Sequence, residues 1–208
     1  MKCRVVTIAR SPGAGGEEIG HLVAGALGFR YVDDEIIIRA AEKAGVSPET
    51  IAQVEHTQPL ILRILDVMGR APLDPVAVPV TPDADDPWLR SMTYEGIIER
   101  VVRETAAEGK VVLVAHGAGM HLAGSGGLLR AFVTASPAAR AERIARRDSI
   151  GERVARKVVQ ESDRQRREYL RRFCEVHREL PTDYDIVIST DVLAPSRAAE
   201  LIVAASKG

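Results

Sequence analysis

The sequence has little that would mark a membrane, secreted or nucleic-acid-binding protein. No apolar run approaches the roughly 18 residues that a membrane-spanning helix needs. The only cysteines, Cys3 and Cys174, are too few for a disulfide framework, and we interpret both as reduced packing residues. The formal net charge of −1 gives no general attraction to nucleic acid or to a membrane surface. The five histidines lack the spacing with cysteine that zinc ligands show.

What remains is the composition of an ordinary globular protein. Hydrophobic residues make up 46% of the 208 positions and charged residues 27%, close to the usual averages. This length suits one domain with a substantial core, so residues 1–208 are predicted to form a single domain. Because the chain starts directly with a core strand, we expect no signal peptide and a cytoplasmic location.

Apolar runs alternate with helical patterns along the chain. Five runs have the character of buried strands: 4–9, 29–32, 111–115, 129–135 and 184–189. Helical patterns lie between them and close the chain at 195–205. Uninterrupted apolar strands of this kind are typical of a parallel sheet covered on both faces. The sequence therefore predicts an α/β fold, a three-layer sandwich around a five-stranded parallel sheet.

Two long segments are predicted beside this core. Residues 33–108 form a mostly helical insert, in which 71–87 contains five prolines and four aspartates and is expected to be irregular. The apolar helix at 59–68 belongs either to the core or to a dimer contact, and we favour a homodimer. A basic helical stretch runs from about 150 to 178, and most of its arginines are expected on a solvated face. This stretch has few interleaved aromatic residues, which argues against a nucleic-acid partner.

The most informative stretch is the glycine-rich turn after the first strand. It reads Arg10-Ser11-Pro12-Gly13-Ala14-Gly15-Gly16-Glu17-Glu18 and leads into a helix over 19–27. Such a turn points several backbone N–H groups at the positive end of a helix dipole, which suits a phosphate. The P-loop pattern continues with lysine and then a hydroxyl residue, whereas this chain has Gly16 and Glu17. The alternative is a tight strand-to-helix turn without a ligand.

If a phosphate binds there, its charge must be met by a residue other than the missing lysine. Arg10 is one candidate because it immediately precedes the turn, and an arginine from the basic stretch is the other. Glu17 has three interpretations: an acid that stabilises the first turn of its helix, a carboxylate ligand of Mg²⁺, or a group that repels phosphate.

Six motifs occur in one order along almost the whole chain, apart from 71–87. They are Arg10-x-x-Gly13-Ala14-Gly15-Gly16-x-Glu18-Ile19, Tyr31-Val-Asp-Asp-Glu35 with Arg39, Val112-Leu-Val-Ala-His-Gly-Ala118, Phe132-Val-Thr-Ala-Ser-Pro-x-x-Arg140-x-x-Arg143, Asp163-Arg-Gln-Arg166 and Tyr184-Asp-Ile-Val-Ile-Ser-Thr190. Together they resemble the cytidylate kinase-like family, a branch of the nucleoside monophosphate kinases with the P-loop fold. The resemblance implies transfer of the γ-phosphate of ATP, with Mg²⁺, to a CMP- or dCMP-like nucleotide or a related acceptor.

The resemblance also implies roles for individual residues. Arg10, the lid charges Arg153 or Arg156, and the pair Asp163 with Arg166 would act in catalysis, with the lid at about 147–180. ATP would bind at Ser11, Gly13, Ala14, Gly15, Gly16, Glu17 and Glu18. The acceptor would meet Asp34, Arg39, His116 and Gly117, with His116 where the family has an arginine. Arg39 could instead pair with Glu35 along its helix, and His116 could bond to backbone at the strand end.

The departures from the family pattern support a second hypothesis. Gly16, Glu17 and His116 each remove positive charge or a Mg²⁺ ligand from the place where the transition state would gather negative charge. The alternative function is therefore a nucleotide-binding sensor or partner protein with little or no catalysis. A third hypothesis is a transferase for a different phosphate acceptor, because the segments 59–68 and 71–87 reshape the acceptor side.

Overall fold

The computed structural model describes residues 3–33, 94–115 and 117–207. In these residues the strands are β1 (Val5–Arg10), β2 (Arg30–Val32), β3 (Val111–Leu113), β4 (Leu128–Thr134) and β5 (Ile186–Ser189). The five strands form one parallel sheet in the order β2-β3-β1-β4-β5. The predicted five-stranded parallel sheet is thereby confirmed, with strand ends that differ by a few residues from the sequence prediction.

Six α-helices occur in the described residues. They are α1 (Gly16–Leu27), α2 (Tyr94–Glu108), α3 (Ala118–His121), α4 (Pro137–Asp148), α5 (Glu152–Phe173) and α6 (Pro195–Lys207), and a 3₁₀ turn covers Pro181–Asp183. The short α3 was not predicted, because four residues are too few to show helical periodicity. Helix α5 ends at Phe173, about five residues before the end of the predicted basic stretch.

The core lies on both faces of the sheet. Val6 and Ile8 of β1 point to one face, in a buried cluster with residues of α1 and α6 such as Ile19 and Ile202. Thr7 points to the other face, where a Cβ atom added to Gly119 of α3 would lie 2.9 Å from the Thr7 hydroxyl oxygen. Because successive side chains of a strand alternate between faces, helices cover both sides and the three-layer α/β arrangement is confirmed.

Helix α4 shows how local sequence places an element near the future site. Ser136 is the N-cap, and its hydroxyl oxygen accepts a hydrogen bond from the Ala139 N–H at 3.3 Å. Pro137 follows at the first helical position, where its missing N–H costs nothing. The helix therefore starts immediately beyond the carboxyl end of β4. Its inward face begins close to the turn that follows β1.

The chain divides into two compact units, one of residues 1–33 with 102–208 and one of residues 34–101. The first unit contains the sheet and the site described below. Of the second unit, only the first residues of α2 are described. The predicted apolar helix at 59–68 and the acidic segment at 71–87 lie outside the described residues. No helix in the described part of the chain is long and apolar enough to cross a membrane.

Candidate active site

The turn between β1 and α1 lies at the carboxyl edge of the sheet, where parallel α/β proteins bind ligands. Gly13 and Gly15 have φ angles of 81° and 82°, a conformation that favours glycine. Gly15 is the N-cap of α1 and offers no side chain to cap the helix. The first-turn amides of Gly16, Glu17 and Glu18 have no partner within the helix. The predicted phosphate-binding residues therefore form a turn whose amides are suited to an anion.

The side chain of Arg10 packs against Gly16, the position that lysine holds in the P-loop pattern. A Cβ atom added to Gly16 would lie 2.5 Å from the Cβ and 2.8 Å from the Cδ of Arg10. Real Cβ atoms do not approach other carbon atoms this closely, since the packed interior leaves no such overlap. Position 16 is consequently restricted to glycine by the aliphatic part of Arg10. The guanidinium of Arg10 thus lies next to the first turn of α1.

Two carboxylates neutralise this guanidinium. Its Nε donates to Glu17 Oε1 at 2.6 Å, and its Nη2 lies 3.6 Å from Asp33 Oδ2. Its Nη1 also donates to the Val114 carbonyl oxygen at 3.4 Å. Burial opposes the charge on Arg10, but the two carboxylates outweigh burial and raise its pKa. Burial likewise acts to raise the pKa of Glu17, but the charge and hydrogen bond of Arg10 outweigh it and lower that pKa.

The carbonyl oxygens of the turn accept hydrogen bonds from side chains outside it. Arg166 donates to the Arg10 carbonyl at 3.3 Å, and Arg140 donates to the Pro12 carbonyl at 2.8 Å. Arg143 donates to the Gly13 carbonyl at 3.3 Å. The Thr190 hydroxyl, just after β5, donates to the Ala14 carbonyl at 2.9 Å. Helices α4 and α5 and the end of β5 therefore hold the turn in one conformation.

Asp163 and Arg166, which were predicted to act together on the substrate, contact different partners. Asp163 accepts two hydrogen bonds from the buried Arg140, at 3.0 and 2.7 Å. Arg166 donates to both carboxylate oxygens of Glu179, at 3.0 and 2.5 Å. The proposed contact of Asp163 and Arg166 with substrate stays a prediction.

The second of these pairs is part of a buried cluster. The Tyr184 hydroxyl donates to Glu179, and Arg166 donates to the same hydroxyl at 3.1 Å. The Arg166 guanidinium also lies 4.9 Å from the centre of the Phe132 ring, a favourable arrangement of cation and aromatic face. Burial opposes the charges of both partners, yet the ion pair outweighs burial: the pKa of Arg166 is raised and the pKa of Glu179 is lowered. Arg166 is thus fixed in position.

The predicted lid charges lie on the exposed face of α5. Arg156 is exposed and donates to Glu152 one turn earlier at 2.5 Å. Arg153 is exposed as well. Because exposed arginine pairs of this kind are weak, both side chains are able to move. Their role as lid charges stays a prediction.

A cavity of about 450 Å³ lies between the ends of β1 and β4 and helix α5. Ser11, Phe132 and Thr134 form its floor, and Leu170 is on the α5 side. The charged side chains that line it are Arg140, Asp163, Arg166, Arg167, His177, Arg178 and Glu179. This volume is in the range of small-molecule sites. The mixture of cations and carboxylates suits a polar, anionic ligand.

Of the predicted acceptor residues, only Gly117 is among the described residues. It has a φ of 77° and is the N-cap of α3. A Cβ atom there would lie 2.7 Å from the Cys174 sulfur and 3.0 Å from the Tyr169 ring. The end of α5 therefore packs directly on the loop that follows β3. Asp34, Arg39 and His116 lie outside the described residues.

Several residues that shape the site were not predicted from the sequence. Asp33 was not singled out, although it follows β2 at the same sheet edge. Arg140 and Arg143 were quoted as a motif but not as contacts of the turn. The available signal was their spacing. Arg143 follows Arg140 by three residues in the helix that Ser136 caps, which puts both side chains on one face of α4. Glu179 gave no signal at all.

A magnesium ion would have few protein ligands at this site. Within residues 3–33, 94–115 and 117–207, no group of three or more histidine, cysteine or acidic side chains is arranged to hold a metal ion. Mg²⁺ in phosphate-transfer sites usually takes one or two carboxylates with the rest from phosphate and water. Glu17 and Asp33, on either side of Arg10, are compatible with that requirement.

The strand order, the glycine turn and its position at the sheet edge define the fold of a P-loop kinase. The chain belongs to the cytidylate kinase-like family, whose model matches residues 5–192. A cytidylate kinase from Methanopyrus kandleri is 27% identical over an alignment 213 residues long, which covers 97% of this chain and 92% of that protein.

Solved structures show the same fold at low sequence identity. An uncharacterized protein from Eubacterium ventriosum aligns with a TM-score of 0.66 at 16% identity and 98% coverage of both chains. Shikimate kinase from Bacteroides thetaiotaomicron aligns with a TM-score of 0.51 at 13% identity, covering 97% of this chain and 95% of its own. These likenesses establish the fold and leave the acceptor open.

Proposed function

We propose that the protein is a phosphotransferase that moves the γ-phosphate of ATP to a CMP- or dCMP-like nucleotide or a related acceptor, with Mg²⁺ as cofactor. Membership of the cytidylate kinase-like family supports this proposal, as does the cytidylate kinase among its relatives. The observation that carries it is the turn before α1, where first-turn amides lie beside the guanidinium of Arg10. Amides and a guanidinium together suit the phosphates of a nucleotide.

The ATP side of the site would be formed by the turn. The amides of residues 13–18 would bind the phosphates, and Arg10 would supply the charge that the lysine gives in other P-loops. Mg²⁺ would neutralise the developing charge on the transferred group, with Glu17 or Asp33 as its protein ligand. Arg140, Arg143 and Arg166 keep the turn in position through its carbonyl oxygens.

The acceptor side would be the 450 Å³ cavity and the loop at Gly117. Phosphoryl transfer requires little covalent help from the protein, so the acceptor mainly has to be positioned in line with the γ-phosphate. Asp163 and Arg166 line the cavity from α5. Arg153 or Arg156 would add charge when the segment at 147–180 closes over the phosphates.

A coupled assay with ATP, Mg²⁺ and a panel of nucleoside monophosphates tests the proposal. We expect turnover above about one per second with CMP or dCMP, the usual range for kinases. Arg10→Gln should reduce kcat/KM at least about 100-fold, because one charge aimed at the transition state contributes about 3 kcal/mol. Arg30→Gln is the matched control, since Arg30 begins β2 at the opposite sheet edge and pairs with Glu108 at 2.5 Å.

A nucleotide-binding protein without catalysis remains the second candidate. It is favoured by one observation, the neutralisation of Arg10 by Glu17 and Asp33. A thermal-shift screen separates the two, because any ligand that binds only the folded protein raises its melting temperature. Stabilisation by nucleotides without turnover of any acceptor would contradict the kinase proposal. It would support the binding protein instead.

A further inference from the structure

The carboxylate of Glu17 occupies the kind of position that a bound phosphate would take. It lies at the first turn of α1, where the helix dipole favours an anion. It accepts the 2.6 Å hydrogen bond from Arg10 Nε. Glu17 therefore already holds the guanidinium beside the turn, at the helix end that favours an anion.

The two partners differ in their freedom to move. The Arg10 side chain is only 9% exposed, whereas the Glu17 side chain is 50% exposed. Arg10 is further fixed by the Val114 carbonyl, by Asp33 and by its contact with Gly16. Glu17 is attached to the outer turn of a helix and has solvent on one side. When an anion arrives, Glu17 is the partner that can leave.

We propose that Glu17 is an internal counter-ion that competes with ligand phosphate for Arg10 at the first turn of α1, and so sets the affinity of the site for phosphate compounds. This inference rests on the proposed function, because it takes the turn to be the phosphate site. A phosphate ligand has to exchange with the carboxylate before it contacts Arg10. Removing the charge of Glu17 should therefore strengthen phosphate binding, whereas loss of a merely positioning residue would weaken it.

The test is calorimetric binding of inorganic pyrophosphate to the full chain in a Mg²⁺-free buffer with chelator, so that Glu17 cannot act as a metal ligand. We expect Glu17→Gln to bind pyrophosphate up to about fivefold more tightly than the unchanged protein, the effect of removing one partly exposed ion pair that competes with the ligand. The matched control is Glu200→Gln. Glu200 lies on α6, is exposed and pairs with Arg197 at 2.5 Å, so its loss changes the net charge by the same amount, and we expect about twofold at most.

Three results would overturn the inference. Equal or weaker pyrophosphate binding by Glu17→Gln, with turnover still present in the coupled assay, overturns it while the proposed function stands. An equal gain in Glu17→Gln and Glu200→Gln overturns it as well, because general charge would then explain the effect. If no form of the protein binds pyrophosphate and no acceptor is phosphorylated, both this inference and the proposed function fail.

Discussion

Gly16→Ala should destabilise the protein even though alanine is a better helix former than glycine. The added Cβ would lie 2.5 Å from the Cβ of Arg10. That atom is fixed to the backbone of β1, which pairs with β3 and β4 on its two sides. A flexible side chain could rotate away from such a contact, but a Cβ in the central strand cannot. The clash must therefore be relieved by moving the start of α1.

The magnitude follows from two opposing effects. Replacing glycine by alanine in a helix stabilises by about 0.5–1 kcal/mol. Forcing a methyl group into a packed site costs about 1–3 kcal/mol. Because the shift also moves the amides of the first turn relative to Arg10, the upper end of that range applies. We expect a net loss of about 1–2 kcal/mol in the free energy of unfolding.

Gly25→Ala is the matched control, since Gly25 lies in the same helix and a Cβ there meets no atom within 4 Å. It should raise the free energy of unfolding by about 0.5–1 kcal/mol. Urea titration with linear extrapolation measures both variants, which should have the same m-value as the unchanged protein. If Gly16→Ala is as stable as Gly25→Ala, the steric argument is wrong. The same argument predicts that Gly16→Lys will not restore an ordinary P-loop.

Three further predictions concern the ion pairs around the turn. Arg140→Lys keeps the charge but loses the paired hydrogen bonds to Asp163. We therefore expect the free energy of unfolding, measured by urea titration, to fall by about 1–3 kcal/mol and ATP binding, measured by calorimetry, to weaken. A change in the free energy of unfolding of less than about 0.5 kcal/mol would contradict this prediction. The pKa of Glu179 is lowered, so its carboxylate stabilises the fold above about pH 4.5, and this stabilisation is lost as the pH falls through the folded-state pKa. Glu179→Gln should therefore make the melting temperature fall less steeply at acid pH. Parallel curves of melting temperature against pH for the two proteins would refute this. Arg156→Ala should change the free energy of unfolding by less than about 0.5 kcal/mol, because its ion pair with Glu152 is exposed. A larger loss by urea titration would contradict this prediction.

The fold was predictable because its signals are local. Each strand is a short apolar run, and β1 is buried over its whole length. The turn before α1 was predictable for the same reason, since its glycines adopt conformations that other residues avoid. Ser136 and Pro137 marked the start of α4 from two adjacent residues. All of these features depend on neighbours in the sequence.

The partners of the arginines were not predictable, because they depend on contacts distant in the sequence. Arg140 and Asp163 are 23 residues apart. Within Asp163-Arg-Gln-Arg166, one residue turns toward α4 and the other toward the segment after α5. In a helix as basic as α5, the sequence does not distinguish a buried arginine from an exposed one. Only packing against β1 and α4 decides it.

The acids around the turn follow from the arginines that hold it. Amides that face a ligand leave the carbonyl oxygens of the same turn needing donors of their own, and here arginines provide them. A buried guanidinium needs a carboxylate in its turn, so Asp163 accompanies Arg140 and Glu179 accompanies Arg166. Because Arg166 of α5 donates to the Arg10 carbonyl, a movement of this part of α5 would also disturb the turn after β1.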